Sequence, residues 1–109
     1  MIDRERIEKF VDEVARQFQP ERVVLFGSYA YGRPHADSDV DLLVVMPHEG
    51  HSAIAAAEIR KRIRAGFPMD LIVRSPQEVR QRLILHDPFI TEILDQGETL
   101  YDANHARVG

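Results

Sequence analysis

Two aspartates stand at the head of the most apolar segment of the chain. Residues 39–46 read DVDLLVVM, and this run of branched aliphatic residues predicts a buried β-strand that ends at Pro47. Side chains two positions apart on a strand point to the same face, so Asp39 and Asp41 are expected side by side, about 7 Å apart at Cβ. The fold therefore has to hold two negative charges beside a hydrophobic core.

Carboxylates held this close repel each other. Two unit charges about 5 Å apart at an effective dielectric constant near 20 repel by about 3 kcal/mol, a large fraction of the stability of a small domain. A bound divalent cation removes that repulsion, and hard oxygen ligands select Mg²⁺ or Mn²⁺ over Zn²⁺. The alternative is a strand end at the surface, where both aspartates are simply solvated. The apolar residues that surround Asp39 and Asp41 favour the metal site.

The rest of the chain alternates between helical patterns and short apolar runs. Apolar residues at helical spacing predict a helix over residues 4–18 with Asp3 as its N-cap. A second helix is expected to begin at Ser52, as its cap, and to reach about Ala65, with Gly66 at the C′ position. Short β-rich runs predict strands over residues 23–26 and 69–73, with an edge strand over residues 99–101.

The C-terminal third carries two further helix starts. The sequence Ser-Pro-Gln-Glu from Ser75 fits a capping box with proline at the first helical position. A last helix is expected after Asp87 and before Gly97, with its apolar residues in the core: Phe89, Ile90, Ile93 and Leu94. We therefore predict one α/β (α+β) domain over residues 1–109, a small mixed sheet of three to four strands flanked by helices, with fraying from about Asn104.

Composition and charge argue against some classes of function. The net charge of −4 argues against stable nucleic-acid binding, and the longest aliphatic runs are too short to span a membrane. The absence of cysteine and of a recognisable secretory signal fits a cytoplasmic protein.

The charges are distributed unevenly along the chain. Residues 60–82 carry seven basic residues against two acids, whereas residues 83–104 carry five acids and no Lys or Arg. Solvated helix faces explain such runs most simply, and docking surfaces for a partner are the alternative.

A glycine and a serine mark the end of the first predicted strand. Gly27 and Ser28 open a helical turn that runs to Tyr31, where unpaired backbone N–H groups and a glycine let a phosphate approach closely. A Gly-Ser turn alone is more often an ordinary cap. Here it is followed by the Asp39–Asp41 pair and by Asp70, a third acid inside a predicted strand, and the combination indicates a site for a phosphorylated ligand.

Residues 23–45, VVLFGSYAYGRPHADSDVDLLVV, resemble the motif of the DNA polymerase beta type nucleotidyltransferases, and in particular the minimal nucleotidyltransferase (MNT) branch. The resemblance implies that Gly27 and Ser28 hold the β and γ phosphates of ATP. It also implies that Asp39 and Asp41 ligate two Mg²⁺ ions. Asp70 matches the third carboxylate of the family's motif. The resemblance implies that it shares a metal ion and helps to deprotonate the attacking hydroxyl.

One residue departs from the family pattern. MNT sequences usually read GSYARG or GSFARG, whereas this chain reads GSYAYG, with Tyr31 in place of arginine. Arg33 is the candidate for the missing positive charge on the triphosphate. Stacking of Tyr31 on the base is the alternative way in which this loop compensates.

The resemblance also suggests an acceptor. Small MNT proteins resemble antitoxins of two-component systems, which implies transfer of AMP from ATP to a tyrosine hydroxyl of an all-helical HEPN toxin in a hetero-oligomeric complex. Two alternatives stay open. The chain is a catalytically weak antitoxin that neutralises its partner by binding alone, or it transfers a nucleotide to a small molecule.

Overall fold

The computed structural model describes residues 1–104, and the fraying expected beyond Asn104 lies outside the described residues. The chain forms four helices and four strands within this range. In chain order they are α1 (Arg4–Phe18), β1 (Arg22–Phe26), β2 (Val40–Val45), α2 (Ser52–Arg62), β3 (Met69–Arg74), α3 (Pro76–Ile84), α4 (Pro88–Gln96) and β4 (Glu98–Asp102). The predicted elements are all present.

The four strands form one mixed sheet in the order β3-β2-β1-β4. Strands β1 and β2 pair antiparallel, as do β1 and β4, whereas β2 and β3 pair in parallel. A parallel pair needs a crossover connection, and α2 supplies it between β2 and β3. The predicted small mixed sheet flanked by helices is confirmed.

Helices cover both faces of the sheet. Leu42 and Val44 of β2 pack with α1 and α2 in one buried cluster, while Leu43 and Val45 pack with α3 and α4 in another. Because β2 is buried on both faces, its sequence is a continuous apolar run instead of an alternating one. None of the helices formed by residues 1–104 has the length and apolar character needed to cross a membrane.

Helix α1 has the predicted bounds, whereas both ends of α2 differ from the sequence prediction. Asp3 takes the N-cap position of α1, but its side chain makes no cap bond, and its carbonyl accepts from the N–H of Arg6 (3.1 Å). Helix α2 has His51 at the N-cap, with Ser52 already helical, and it ends at Arg62. Ile63 leaves the helix in an extended conformation and is buried at 7% exposure. Gly66 therefore does not occupy a C′ position.

The two C-terminal helix starts are confirmed. The Ser75 hydroxyl accepts from the N–H of Glu78 (3.1 Å) and the Glu78 carboxylate accepts from the N–H of Ser75 (2.8 Å). His48 reaches Glu78 as well, with Nε2 2.7 Å from Oε1, so the loop after β2 is tied to the cap of α3. Asp87 caps α4 by accepting from the N–H of Phe89. Phe89 itself is half-exposed, so its assignment to the core is wrong.

Gly97 allows α4 to pack closely on β1. A Cβ at this position would overlap the carbonyl oxygen of Ile93 and lie 2.8 Å from both the Leu25 carbonyl oxygen and Val24 Cγ1. We expect Gly97→Ala to lower the free energy of unfolding by about 1–3 kcal/mol, because backbone atoms on both sides have to move. Urea denaturation measures the loss. Gln96→Ala, at the exposed neighbouring position, is the control and should change stability little.

Candidate active site

The register of the central strands brings two of the predicted acids together. Asp41 in β2 is the direct partner of Asp70 in the parallel strand β3. Neighbouring strands lie about 4.8 Å apart, and direct partners point to the same face of the sheet. Asp39 was predicted inside the strand, but β2 begins at Val40, and Asp39 lies exposed just before it. The three acids therefore share one end of the sheet.

Gly27 and Asp41 fit together at the end of β1. Gly27 follows the strand with φ +75°, a left-handed conformation that glycine adopts without strain. A Cβ on Gly27 would overlap Oδ2 of Asp41 deeply, so the absence of a side chain leaves room for the carboxylate. The carboxylate of Asp41 thus packs directly on the backbone at the Gly-Ser turn.

The acids repel one another. Burial raises the pKa of Asp41, and the negative charges of Asp70 and Asp39 raise it further. Within residues 1–104, none of the three carboxylates forms an ion pair or hydrogen bond with another side chain. A divalent cation would supply the missing counter-charge, and oxygen-only ligands suit Mg²⁺.

The three acids do not form a complete metal-binding site. No group of three or more acidic or histidine side chains among residues 1–104 has the arrangement of a complete metal site. Asp41 is half-buried against Gly27, whereas Asp39 and Asp70 are exposed, so two of the three side chains have room to move. Like charges without a counter-ion favour separation. The donor set fits Mg²⁺, and the side chains of Asp39 and Asp70 are free to rotate towards an ion.

The segment after Gly27 forms the expected helical turn. The carbonyl of Gly27 accepts from the N–H groups of Ala30 (3.0 Å) and Tyr31 (3.1 Å). The first N–H groups of such a turn have no partner inside it, and they are the groups that bind phosphate oxygens. Tyr29 packs against the core beneath α1, and its hydroxyl accepts from the N–H of Ile2 (3.0 Å). Tyr29 therefore anchors the turn.

Tyr31 and Arg33 remain at the surface. Tyr31 is 41% exposed and borders a groove of about 610 Å³ that α4 lines on the other side. The groove residues contributed by α4 and the turn before it are His86, Pro88, Thr91, Glu92, Asp95 and Gln96. Arg33 is exposed on the loop between β1 and β2, tied to the turn through its N–H, which donates to the carbonyl of Ser28 (2.9 Å).

The groove was not predicted from the sequence. Glu92 and Asp95 sit one turn apart on α4, a spacing that predicts a shared exposed face but names no neighbour for it. Tyr31 meets them across the groove although it is more than 60 positions away in the sequence. The run of acids over residues 83–104 was the only sequence feature that pointed to this groove. The sequence did not show that two of these acids lie across the groove from Tyr31.

Paired carboxylates beside a Gly-Ser turn are an arrangement suited to binding a divalent cation and phosphate groups. The chain belongs to the nucleotidyltransferase domain family, whose sequence model matches residues 7–97. It is therefore a nucleotidyltransferase, as the motif over residues 23–45 indicated. No curated protein matches the chain.

Solved structures agree with this assignment. A protein of Sulfolobus solfataricus described as a nucleotidyltransferase is 30% identical, with a TM-score of 0.55 over 71% of this chain and 70% of its own. A toxin–antitoxin complex with AMP-PNP is 24% identical, with a TM-score of 0.58 over 87% of this chain and 73% of its own. A mutant of the MntA-HpeT toxin–antitoxin pair is 22% identical, with a TM-score of 0.52 and the same coverage. The last two similarities establish the fold.

The contact between Gly27 and Asp41 is testable by a double-mutant cycle. We expect Gly27→Ala to destabilise the fold by more than the 1–2 kcal/mol or so of left-handed backbone strain, because the new Cβ also displaces the carboxylate. In an Asp41→Ala background the overlap is gone, so the cost should fall towards the strain alone. Urea denaturation of the four proteins measures it. Equal costs in both backgrounds would show that the carboxylate does not pack on Gly27.

The repulsion at Asp41 gives a second prediction. Because its pKa is raised in the fold, the ionised carboxylate destabilises the protein, and Asp41→Asn should raise the melting temperature by on the order of a few degrees. Millimolar Mg²⁺ should raise the melting temperature of the wild type and have much less effect on Asp41→Asn. Asp37→Asn, in the exposed loop, is the matched control and should behave as the wild type does. A destabilised Asp41→Asn would contradict the electrostatic account.

Proposed function

We propose that this nucleotidyltransferase moves AMP from ATP onto a tyrosine hydroxyl of a HEPN-type toxin and so acts as its antitoxin. The observation that carries the proposal is the pairing of Asp41 with Asp70 next to the backbone of Gly27. Residues 1–109 act as a single nucleotidyltransferase domain, which the family match over residues 7–97 supports. The proposed reaction uses ATP, which fits a cytoplasmic protein.

Each candidate residue has a distinct role in the proposal. Asp39, Asp41 and Asp70 would hold Mg²⁺, which would supply positive charge to the phosphates. The N–H groups and hydroxyl at Gly27 and Ser28 hold the β and γ phosphates. Arg33, in the loop that follows, contributes positive charge to the triphosphate. These groups position the α-phosphate at the edge of the sheet.

The reaction is an in-line displacement. The acceptor oxygen forms a bond to the α-phosphorus, and the bond from that phosphorus to the bridging oxygen breaks. Pyrophosphate leaves with the electron pair towards Gly27 and Ser28. Asp70 is exposed at the edge of the sheet, so it can accept the hydroxyl proton from an incoming substrate, while half-buried Asp41 stays fixed. Positioning and electrostatics carry most of the catalysis in such transfers.

The acceptor is proposed from the structural neighbours. Two of them are toxin–antitoxin assemblies, and one of these contains AMP-PNP, an ATP analogue. Both match 87% of this chain. An acceptor on a protein partner fits the end of the sheet at which Asp39 and Asp70 are exposed. We therefore propose a protein hydroxyl, and not a small molecule, as the acceptor.

Label transfer tests the proposed reaction. The purified chain is incubated with ATP labelled at the α-phosphate, Mg²⁺ and the protein encoded beside its gene. We expect label on that protein, with one tyrosine gaining the mass of AMP, and no transfer when EDTA is present. Asp41→Asn and Asp70→Asn should lower the rate about 100-fold or more, because each removes charge stabilisation of the transferring phosphoryl group. Asp37→Asn is the control and should keep full activity.

The outcomes separate the alternatives. Label on a small molecule, with none on the protein, would contradict the proposed acceptor but keep the transferase. A partner that is bound and neutralised equally well by wild type and Asp41→Asn, with no label transferred by either, would indicate an antitoxin that works by binding alone.

A further inference from the structure

The turn between α3 and α4 exposes an unusual amount of apolar surface. Leu83, Ile84, Leu85 and Phe89 form what we call the apolar ridge. Ile84 is 76% exposed and Leu85 is 67% exposed, whereas the remaining large apolar side chains of residues 1–104 are mostly buried. Single exposed leucines are ordinary on a protein surface, but four large apolar side chains exposed within seven positions of the chain indicate an interaction site.

The ridge has a fixed backbone. His86 adopts φ +58°, and its N–H donates to the carbonyl of Leu83 (3.1 Å). The N–H of Asp87 donates to the carbonyl of Arg82 (2.9 Å), and the two side chains form an ion pair at 3.2 Å. These hydrogen bonds hold the backbone on both sides of Leu85 in a defined conformation. Such preorganisation lowers the entropic cost of binding.

One aromatic contact links the ridge to the strands of the candidate active site. The rings of Phe89 and Phe26 meet edge to face, 5.9 Å between centroids. Phe26 ends β1 and is the direct partner of Asp41 across the sheet. Phe26 therefore lies between the ridge and the strand that carries Asp41.

The charged residues beside the ridge indicate which charge the partner carries. Glu92 and Asp95 are exposed on α4 and line the groove below Tyr31. The other acids of this region have partners inside the chain: Asp87 with Arg82, Glu98 with Arg4, and Asp102 with the N–H of Asn104. The two acids on α4 are thus left to meet basic groups on another molecule.

The basic segment is a weaker candidate for docking. Arg60 donates to the carbonyl of Met69 (2.7 Å), and Arg62 pairs with Glu58 (3.0 Å) and lies over the ring of Phe18. Arg74 donates to the hydroxyl of Ser52 (3.1 Å). These arginines secure the elements around α2 and β3. Their role in the fold explains much of the charge run over residues 60–82.

We propose that the apolar ridge is the docking surface for the protein that accepts the nucleotide, and that this partner presents an apolar face with basic residues opposite Glu92 and Asp95. The inference rests on the proposed function, which requires a protein hydroxyl at the carboxylates. A second copy of this chain is the less suitable occupant, because two-fold pairing would bring the same surface, with its exposed acids Glu92 and Asp95, onto itself.

Binding measurements test the ridge separately from catalysis. The protein encoded beside the gene is the binding probe, and affinity is measured by titration calorimetry for the wild type and for Ile84→Ser/Leu85→Ser. We expect the double variant to lose affinity by about tenfold or more, because it removes apolar surface at the centre of the contact. Ile54→Ser is the matched control, since Ile54 is a similarly exposed apolar residue on α2, at the opposite face of the sheet. It should bind as the wild type does.

Two further measurements make the result unambiguous. The melting-temperature rise with Mg²⁺ and ATP should be the same in wild type and Ile84→Ser/Leu85→Ser, which shows that the fold and nucleotide site are intact. The second measurement uses the variant Glu92→Lys/Asp95→Lys. It should bind the partner more weakly, and its affinity should depend less on the salt concentration.

Several results would overturn the proposal. They are unchanged affinity in both double variants, equal loss in Ile54→Ser, no complex with the wild type, and a wild-type dimer that Ile84→Ser/Leu85→Ser converts to monomer. Failure of the transfer reaction is distinguishable from these. If the ridge variants abolish binding while Asp41→Asn binds normally and no protein transfers AMP, the docking surface stands and the transfer proposal fails.

Discussion

The position of one carboxylate depends on most of the fold. Asp41 lies between the backbone of Gly27, which follows β1, and Asp70 of β3. The first neighbour requires a left-handed residue at the end of β1, and the second requires that β2 and β3 run in parallel. Parallel strands in turn require the crossover through α2 and helices on both faces of the sheet. The repulsion among the acids is tolerated because this packing holds β2 from both sides.

Local patterns predicted most of the fold, and long-range pairing decided the remainder. The capping box at Ser75 and the apolar run of β2 are local signals, and both were predicted correctly. The pattern of α2 continued to Ile63 at helical spacing, so the sequence could not reveal that Ile63 leaves the helix to reach the core. The sequence showed the residue type and the spacing of Asp39, Asp41 and Asp70. It did not show which of them lie opposite each other in the sheet. Their register depends on which strands pair, and the sequence does not state that directly.

The charge asymmetry along the sequence has two physical origins. Arginines such as Arg60 and Arg74 donate to carbonyl and hydroxyl groups, so much of the basic segment stabilises the elements around β3. In the acidic region, Asp87 caps α4 and pairs with Arg82, while Glu92 and Asp95 stay exposed at the groove. A run of like charge is therefore a mixture of structural and surface residues. The three-dimensional partners are what separate them.

The hydrogen bond from the N–H of Ile2 to the hydroxyl of Tyr29 connects the start of the chain to the turn that follows Gly27. This single amide proton is a natural reporter for the loop, because its exchange with deuterated solvent slows while the ring of Tyr29 is seated and quickens when the turn lifts away. Isotope exchange at one N-terminal position can therefore report whether this turn is seated, without any engineered label.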